Sequence, residues 1–237
     1  VAKEFKNQEN SITWIGQEDS LEDRICLEEK FLFFPIKSRG FLGKGFFGKI
    51  ISLFFFFMAM IKSIFILNRI KPDIIFSTGG HASLAPSIVG SFFGPLFIHE
   101  QNSIAGLTNK ILHKFSSVTF EAFPGTFSSP EEKVICVGNP IRNDISKITI
   151  NNKIDPSRFK ILVLGGSQGS KQINDILTKI LTDNKIPASW SFLHQTGKLD
   201  TSELKLAYEK SCVEFEIKDY IKKMVEAYQD CDIIISR

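Results

Sequence analysis

An apolar run that leads directly into a glycine-rich loop and then into a helical pattern limits the folds open to this chain. Ile161 to Leu164 is apolar, Gly165, Gly166 and Gly169 follow, and the segment from Lys171 to Leu181 has the spacing of an amphipathic helix. Glycine adopts positive φ angles and leaves room for a ligand beside the main chain. A helix that begins after such a loop presents unpaired N–H groups and the positive end of its dipole to an anion.

The spacing of these glycines indicates which anion the loop would bind. The pattern G-G-x-x-G lacks both the lysine of a P-loop and the complete dinucleotide fingerprint, so a mononucleotide or sugar-nucleotide diphosphate fits better than NAD or ATP. A tight strand-to-helix turn without a ligand is the alternative interpretation. The candidate phosphate-binding residues are Gly165, Gly166, Gln168 and Gly169, with the hydroxyl groups of Ser167 and Ser170 as further donors.

The composition is that of a globular protein and gives no argument for binding nucleic acid. The 237 residues include 43% hydrophobic and 23% charged residues, and the formal net charge is only +3. The four cysteines lack C-x-x-C spacing and form no cluster with the histidines. We therefore expect reduced thiols, a cytosolic compartment and no bound metal.

Short apolar runs alternate with helical patterns, which predicts an α/β fold with parallel sheets covered on both faces. A polar, unpatterned linker at residues 146–158 separates two Rossmann-like domains, residues 1–145 and 159–237. Ligands of such sheets bind beyond the carboxyl ends of the strands, so we expect the domains to face each other across a ligand-binding cleft. The predicted strands are Ser11–Ile15, Phe31–Ile36, Asp73–Ser77, Leu96–His99, Ser117–Phe120, Val134–Val137, one at Ile161, Ser191–His194, Val213–Ile217 and one at Ile233.

Both ends of the sequence suggest an internal fragment. Val1 to Asn7 has the pattern of the last part of an amphipathic helix, with neither an initiating Met nor a cap before it. Asp232 to Arg237 has the pattern of a strand that no loop and helix follow. We expect the first domain to lack its opening strand and loop, and the second domain to be incomplete.

The segment from Lys37 to Leu67 departs from the alternation. It contains an almost wholly apolar stretch, Ile50 to Ile61, with four consecutive phenylalanines at Phe54 to Phe57. Lys62 interrupts this stretch after about a dozen residues, fewer than the roughly 20 that a spanning helix needs, so we expect no crossing of the bilayer. Two interpretations stay open: a buried helix of the first domain, or a contact with an anionic membrane surface.

Three further loops follow predicted strands and carry residues suited to binding. Gly79 and Gly80 precede a helical pattern, whose start favours an anion. His99 to Asn102 are four consecutive polar residues, which either bond to adjacent loops or bind a ligand. Arg142 comes shortly after another strand and offers a bidentate donor to phosphate.

Several short motifs, in one order and spacing, cover essentially the whole chain. They are Ser77-x-Gly-Gly, His99-Glu-Gln-Asn-x-x-x-Gly-x-x-Asn109, Ala122-Phe-Pro124, Val137-Gly-Asn-Pro-x-Arg142, Gly165-Gly-Ser-Gln-Gly169 with Asn174, Tyr220-Ile-x-x-Met224 with Ala227-Tyr228, and Ile235-Ser-Arg237. This order resembles the MurG family, the UDP-N-acetylglucosamine:N-acetylmuramyl-(pentapeptide) pyrophosphoryl-undecaprenol N-acetylglucosaminyltransferases. His-Glu-Gln-Asn and Gly-Gly-Ser-Gln-Gly together are highly specific.

The resemblance implies a glycosyltransferase of the GT-B type that inverts the anomeric configuration of the sugar. Its donor would be UDP-N-acetylglucosamine and its acceptor the 4-hydroxyl of the N-acetylmuramyl group of undecaprenyl-linked lipid I, with no cofactor. It would be a peripheral protein at the cytoplasmic face of the bacterial inner membrane. Carried over by position, the donor contacts are Asn102, Arg142, Ser167 and Ile221, and the acceptor-side loop candidates are Gly79 and Gly80.

The chain also departs from the family, and we assign no catalytic base. Ser77 stands where the family usually has glycine, His81 where it usually has tyrosine, and Lys223 where an acid is common. The loop with the histidine favoured as base would precede Val1, so we expect this chain alone to be inactive. Two alternatives stay open: a nucleotide-sugar-binding protein without catalysis, and another GT-B transferase with a lipid acceptor.

Overall fold

The protein consists of two compact units, Val1–Pro140 and Ile141–Arg237. In both units parallel β-strands alternate with α-helices, so the predicted α/β class is confirmed. The predicted linker and domain limits stay a prediction. The structure is a computed structural model that describes residues 1–40, 45–128, 132–149, 155, 157–166, 169–183 and 186–236.

The described part of the first unit holds two parallel sheets. Its elements are α1 (Ala2–Asn7), β1 (Thr13–Gln17), α2 (Leu21–Glu28), β2 (Leu32–Ile36), α3 (Phe46–Ile70), β3 (Ile75–Ser77), α4 (Leu84–Gly90), β4 (Leu96–Glu100), α5 (Leu107–Leu112), β5 (Val118–Glu121) and β6 (Val134–Cys136). Strand β1 pairs with β2, and the other sheet has the order β3-β4-β5-β6. Because neighbouring strands are parallel, the loops that follow β3, β4, β5 and β6 lie along one edge of the sheet.

The described elements of the second unit are α6 (Asn143–Ser146), β7 (Lys160–Leu164), α7 (Lys171–Thr182), β8 (Ser191–Gln195), α8 (Ser202–Lys210), β9 (Glu214–Lys218), α9 (Met224–Asp230) and β10 (Ile233–Ser236). Its four described strands form a parallel sheet of order β10-β7-β8-β9. The chain proceeds outward from β7 to β9 and then returns to the other side of β7. This reversal makes the carboxyl end of β7 the topological switch point, where ligands of open parallel sheets bind.

The packing of β7 explains why its last four residues, Ile161 to Leu164, are all apolar. Ile161 and Val163 pack against α7 and α8 on one face, whereas Leu162 packs with Ile221 and with Ala227 of α9 on the other. Successive side chains of a strand point to opposite faces, so a strand covered on both faces needs apolar residues at every position. This double cover holds β7, and with it the start of the glycine loop, rigidly in the sheet.

Helix α3 differs from expectation in its length. It runs for 25 residues, from Phe46 to Ile70, and continues through Lys62, which is exposed. The apolar stretch ends at Lys62, but the helix does not, because an exposed lysine leaves the helix backbone intact. By length and composition alone the helix is long enough to cross a membrane, so the predicted shortness of the segment is wrong.

Helix α3 has one buried face and one exposed face. Ala59 lies in a buried cluster with Ile36 of β2 and Ala85 of α4. On the outer side, Phe54 and Phe57 are 61% and 55% exposed. The helix is thus neither a wholly buried core helix nor a wholly exposed one, and its exposed side carries several large apolar side chains.

Candidate functional site

Two of the three glycines in the loop after β7 have backbone angles that favour glycine. Gly166 and Gly169 have φ angles of 81° and 79°, which side-chain-bearing residues adopt rarely. A Cβ atom at Gly169 would collide with the carbonyl oxygen of Thr196, so the loop lies directly against the chain that follows β8. Ser167 and Gln168 lie outside the described residues.

Helix α7 begins where this loop ends. The buried Ser170 is its N-cap, and its Oγ accepts a hydrogen bond of 3.4 Å from the backbone N–H of Ile173. The helix has 12 residues and no acidic residue in its first turn. The positive end of its dipole therefore faces the loop without a carboxylate to neutralise it.

A second loop, after β9, lies close to the first. The buried Ile221 donates its backbone N–H to Oε1 of Gln195 at 2.8 Å, and Nε2 of Gln195 donates to the carbonyl oxygen of Gly166 at 3.0 Å. Gln195 is not among the residues predicted from the sequence. A signal was available, because Gln-Thr-Gly at residues 195–197 places polar residues at the end of a strand beside the glycine loop.

In the first unit, the buried Glu100 organises the loop after β4. Its Oε1 accepts the backbone N–H and the Nδ2–H of Asn102 at 3.0 and 2.9 Å. Its Oε2 accepts the N–H of Gly106 and the Nδ2–H of Asn109 at 3.0 and 2.9 Å. Burial acts to raise the pKa of Glu100, but these four bonds to the charged form outweigh it and the pKa is lowered. Asn102 is therefore held by a carboxylate that stays ionised.

The same network reaches the acceptor-side loop candidates. Gly79 and Gly80 both have a φ of 87°, and a Cβ atom on Gly79 would lie 2.8 Å from Oδ1 of Asn109. The side chain of Gln101 donates to the carbonyl oxygen of Thr78 at 3.4 Å. The structure thus brings Gly79 and Asn102, which are far apart in sequence, to one edge of the sheet.

The remaining candidates are distributed as follows. Arg142 is exposed and is the N-cap of α6, so it belongs to the second unit, whereas Asn102 belongs to the first. His99 is buried, with Nε2 lying 3.0 Å from the carbonyl oxygen of Gly138, so its role there is structural. Within the described ranges, no three or more His, Cys, Asp or Glu side chains form a group that could hold a metal ion.

Comparison with known families gives two domain matches. Residues 1–120 match the glycosyltransferase family 28 N-terminal domain, and residues 160–237 match the family's C-terminal domain. The two parallel α/β units and these matches define a glycosyltransferase of the GT-B type. The chain belongs to glycosyltransferase family 28 and, within it, to the MurG family, as its motifs indicate.

Individual relatives agree with this assignment. A protein of Myxococcus xanthus named UDP-N-acetylglucosamine--N-acetylmuramyl-(pentapeptide) pyrophosphoryl-undecaprenol N-acetylglucosamine transferase is 34% identical over 98% of this chain and 61% of its own length. The protein of the same name from Haemophilus influenzae is 33% identical over 100% of this chain and 67% of its own length. The crystal structure of Acinetobacter baumannii MurG superposes with a TM-score of 0.69 at 25% identity, over 100% of this chain and 65% of that one. The chain thus spans about three fifths to two thirds of the relatives' length.

Proposed function

We propose that the protein transfers N-acetylglucosamine from UDP-N-acetylglucosamine to the 4-hydroxyl of the N-acetylmuramyl group of lipid I. The product would be lipid II for peptidoglycan synthesis, and hence for cell shape and division. The relatives that carry this name support the proposal. The observation that carries it is the loop of Gly165, Gly166 and Gly169 between β7 and the start of α7, because that arrangement suits a diphosphate.

In this proposal the second unit binds the donor. The loop amides and the start of α7 bind the diphosphate, with the hydroxyl of Ser167 as a further donor. Ile221 contacts the uracil base, by correspondence with the family. Arg142 and Asn102 add hydrogen-bond donors, and Gly79 and Gly80 lie on the acceptor side.

The reaction would proceed by a single displacement. The 4-hydroxyl oxygen of the acceptor forms a bond with C1 of the sugar while the bond from C1 to the β-phosphate oxygen of UDP breaks, which inverts the configuration at C1. A base accepts the hydroxyl proton, and we assign that base to no residue of this chain. The negative charge that develops on UDP is stabilised by the loop amides and the helix dipole.

The exposed side of α3 would provide the membrane contact. Phe54 and Phe57 would enter the interface of the cytoplasmic leaflet of the inner membrane, where lipid I is held by its undecaprenyl chain. The exposed basic residues Lys49, Lys62 and Arg69 lie on the same helix, and each would gain roughly 1 kcal/mol near an anionic surface. This arrangement fits a peripheral protein rather than a spanning one, because the other side of the helix packs on β2 and α4.

The transfer proposal is tested with the full-length protein, radiolabelled UDP-N-acetylglucosamine and lipid I in vesicles. Arg142→Ala should raise the KM for the donor about tenfold, because a charged donor to the diphosphate is lost. Arg158→Ala is the matched control, since it removes an equal charge from another exposed position of the second unit. Donor binding without transfer would identify the protein as a non-catalytic binder, and the absence of donor binding would refute the proposal.

The membrane proposal is tested by vesicle sedimentation of the double variant Phe54→Ser, Phe57→Ser. We expect binding to phosphatidylglycerol vesicles to fall at least tenfold with an unchanged circular dichroism spectrum, because roughly 3 kcal/mol of apolar burial is lost. Phe92→Ser is the control, as Phe92 is an exposed phenylalanine outside α3. Undiminished binding would contradict the contact, and resistance to alkaline carbonate extraction would indicate that α3 spans the bilayer instead.

A further inference from the structure

The side chain of Gln195 connects the two loops that the proposed function assigns to the diphosphate and to the base. Gln195 is the last residue of β8 and is 3% exposed. In the sheet it lies between Leu164 of β7 and Lys218 of β9, the last residues of both neighbouring strands. From this position its side chain reaches the loops on both sides of β8.

The two contacts need a side chain that both donates and accepts a hydrogen bond. The carbonyl oxygen of Gly166 can only accept a hydrogen bond, and the backbone N–H of Ile221 can only donate one. Gln195 meets both needs, with Nε2 donating to Gly166 at 3.0 Å and Oε1 accepting from Ile221 at 2.8 Å. A carboxylate offers no donor and an ammonium group no acceptor, so neither can replace the amide.

The main chain at the same position strengthens the connection. The carbonyl oxygen of Gln195 accepts the N–H of Gly165 at 3.2 Å, and the N–H of Thr196 donates to Lys218 at 3.0 Å. Because Gly169 lies directly against Thr196, the glycine loop cannot shift without moving the end of β8. A carbonyl of Gly166 that is bonded to Gln195 is also prevented from facing an incoming diphosphate, which it would repel.

We propose that Gln195 is a positioning residue of the donor site, which holds the glycine loop and the Ile221 loop in a fixed relative position through its two side-chain hydrogen bonds. This inference rests on the proposed function and concerns a residue that binds no substrate itself. Its loss should weaken donor binding while leaving acceptor binding unchanged.

The test compares Gln195→Met and Gln195→Glu in the full-length protein. The first keeps the approximate volume and loses both hydrogen bonds, and the second keeps the acceptor and loses the donor. We expect each to raise the Kd for UDP-N-acetylglucosamine by calorimetry, and the donor KM, at least about tenfold, with an unchanged acceptor KM. Ser211→Ala is the control. It removes a buried hydrogen bond from Ser211 Oγ to the carbonyl oxygen of Tyr208, between the end of α8 and the start of β9 and away from the glycine loop.

The outcomes separate this inference from the proposed function. If the unaltered protein binds no UDP-N-acetylglucosamine, the proposed function fails. A second outcome is that the unaltered protein binds the donor while the Gln195 variants show a lower melting temperature or kcat with an unchanged donor affinity and donor KM, which is the result expected for Ser211→Ala. In that case the role of Gln195 is structural only, and the inference is overturned. Should neither variant fold, a scalar coupling across the hydrogen bond between Ile221 N–H and the Gln195 side-chain carbonyl decides, and its absence overturns the inference.

Discussion

Acidification should destabilise the second unit through His194. This side chain is fully buried, with Nδ1 3.2 Å from the hydroxyl of Tyr208 and with Nε2 lacking a partner among the described residues. Burial lowers its pKa from 6.5 to about 4. Between these two pH values the unfolded chain therefore binds more protons than the folded one. The stability that the neutral His194 provides is fully present above pH 6.5 and is lost as the pH falls toward 4.

The size of the effect follows from the pKa difference. At about 1.4 kcal/mol per unit the full loss is about 3 kcal/mol, of which about 2 kcal/mol falls between pH 7 and pH 5. Trp190 packs against the core of the second unit, so Trp14→Phe leaves a protein whose tryptophan fluorescence reports on that unit alone. Urea unfolding at pH 7 and pH 5 then gives the loss of stability directly.

A variant without the histidine isolates the contribution. In His194→Asn the loss between pH 7 and pH 5 should be smaller by about 2 kcal/mol than in its parent. His81→Asn, which removes an exposed histidine of the first unit, should behave as the parent does. Equal losses in His194→Asn and its parent would refute the conclusion that His194 is buried in its neutral form.

Three substitutions test local features. Gly169→Ala should weaken the binding of UDP-N-acetylglucosamine, measured by calorimetry, more than about tenfold. The new methyl group collides with Thr196, and the φ of 79° is unfavourable for alanine. An unchanged affinity would contradict the loop geometry. Glu100→Leu, in a Trp190→Phe background where only Trp14 fluoresces, should lower the unfolding free energy of the first unit by about 3 kcal/mol in urea titrations, since buried donors lose their acceptor. A loss below about 1 kcal/mol would count against the network. Ser170→Ala should cost about 1 kcal/mol through the lost cap of α7, and an unaltered melting temperature would argue against that cap.

The sheets could be predicted from the sequence because their signals are local. The run from Ile161 to Leu164 in β7, apolar at every position and followed by glycines, has one plausible structure. The errors lie at the starts of helices. The helical pattern of the sequence extends from Tyr220 to Gln229, but α9 begins at Met224. The N–H of Ile221, before the helix, is bonded to the side chain of Gln195.

The loop after β4 shows a similar difference. The helical pattern of the sequence begins at Ile104, but α5 begins at Leu107, and the N–H of its N-cap Gly106 is bonded to the carboxylate of Glu100. Helix α3 is longer than predicted for a different reason, since the apolar stretch ends at Lys62 while the helix does not. Hydropathy records which residues are apolar and gives no measure of where a helix ends.

The candidate site was predictable in part. The spacing of Gly165, Gly166 and Gly169 identifies the glycine loop without any structure. Ile221 enters only through resemblance to a family, since an apolar residue carries no sign of binding. The roles of Glu100 and Gln195 depend on which donors and acceptors surround a buried polar side chain, and that information exists only in three dimensions.

The most direct test of the donor site is a titration of the isotope-labelled protein with UDP-N-acetylglucosamine, followed by backbone amide chemical shifts. We predict that the largest shifts occur at Gly165, Gly166, Gly169 and Ile221, in the loops after β7 and β9. Saturable binding that leaves these four amides unchanged, or the absence of binding, would contradict the account.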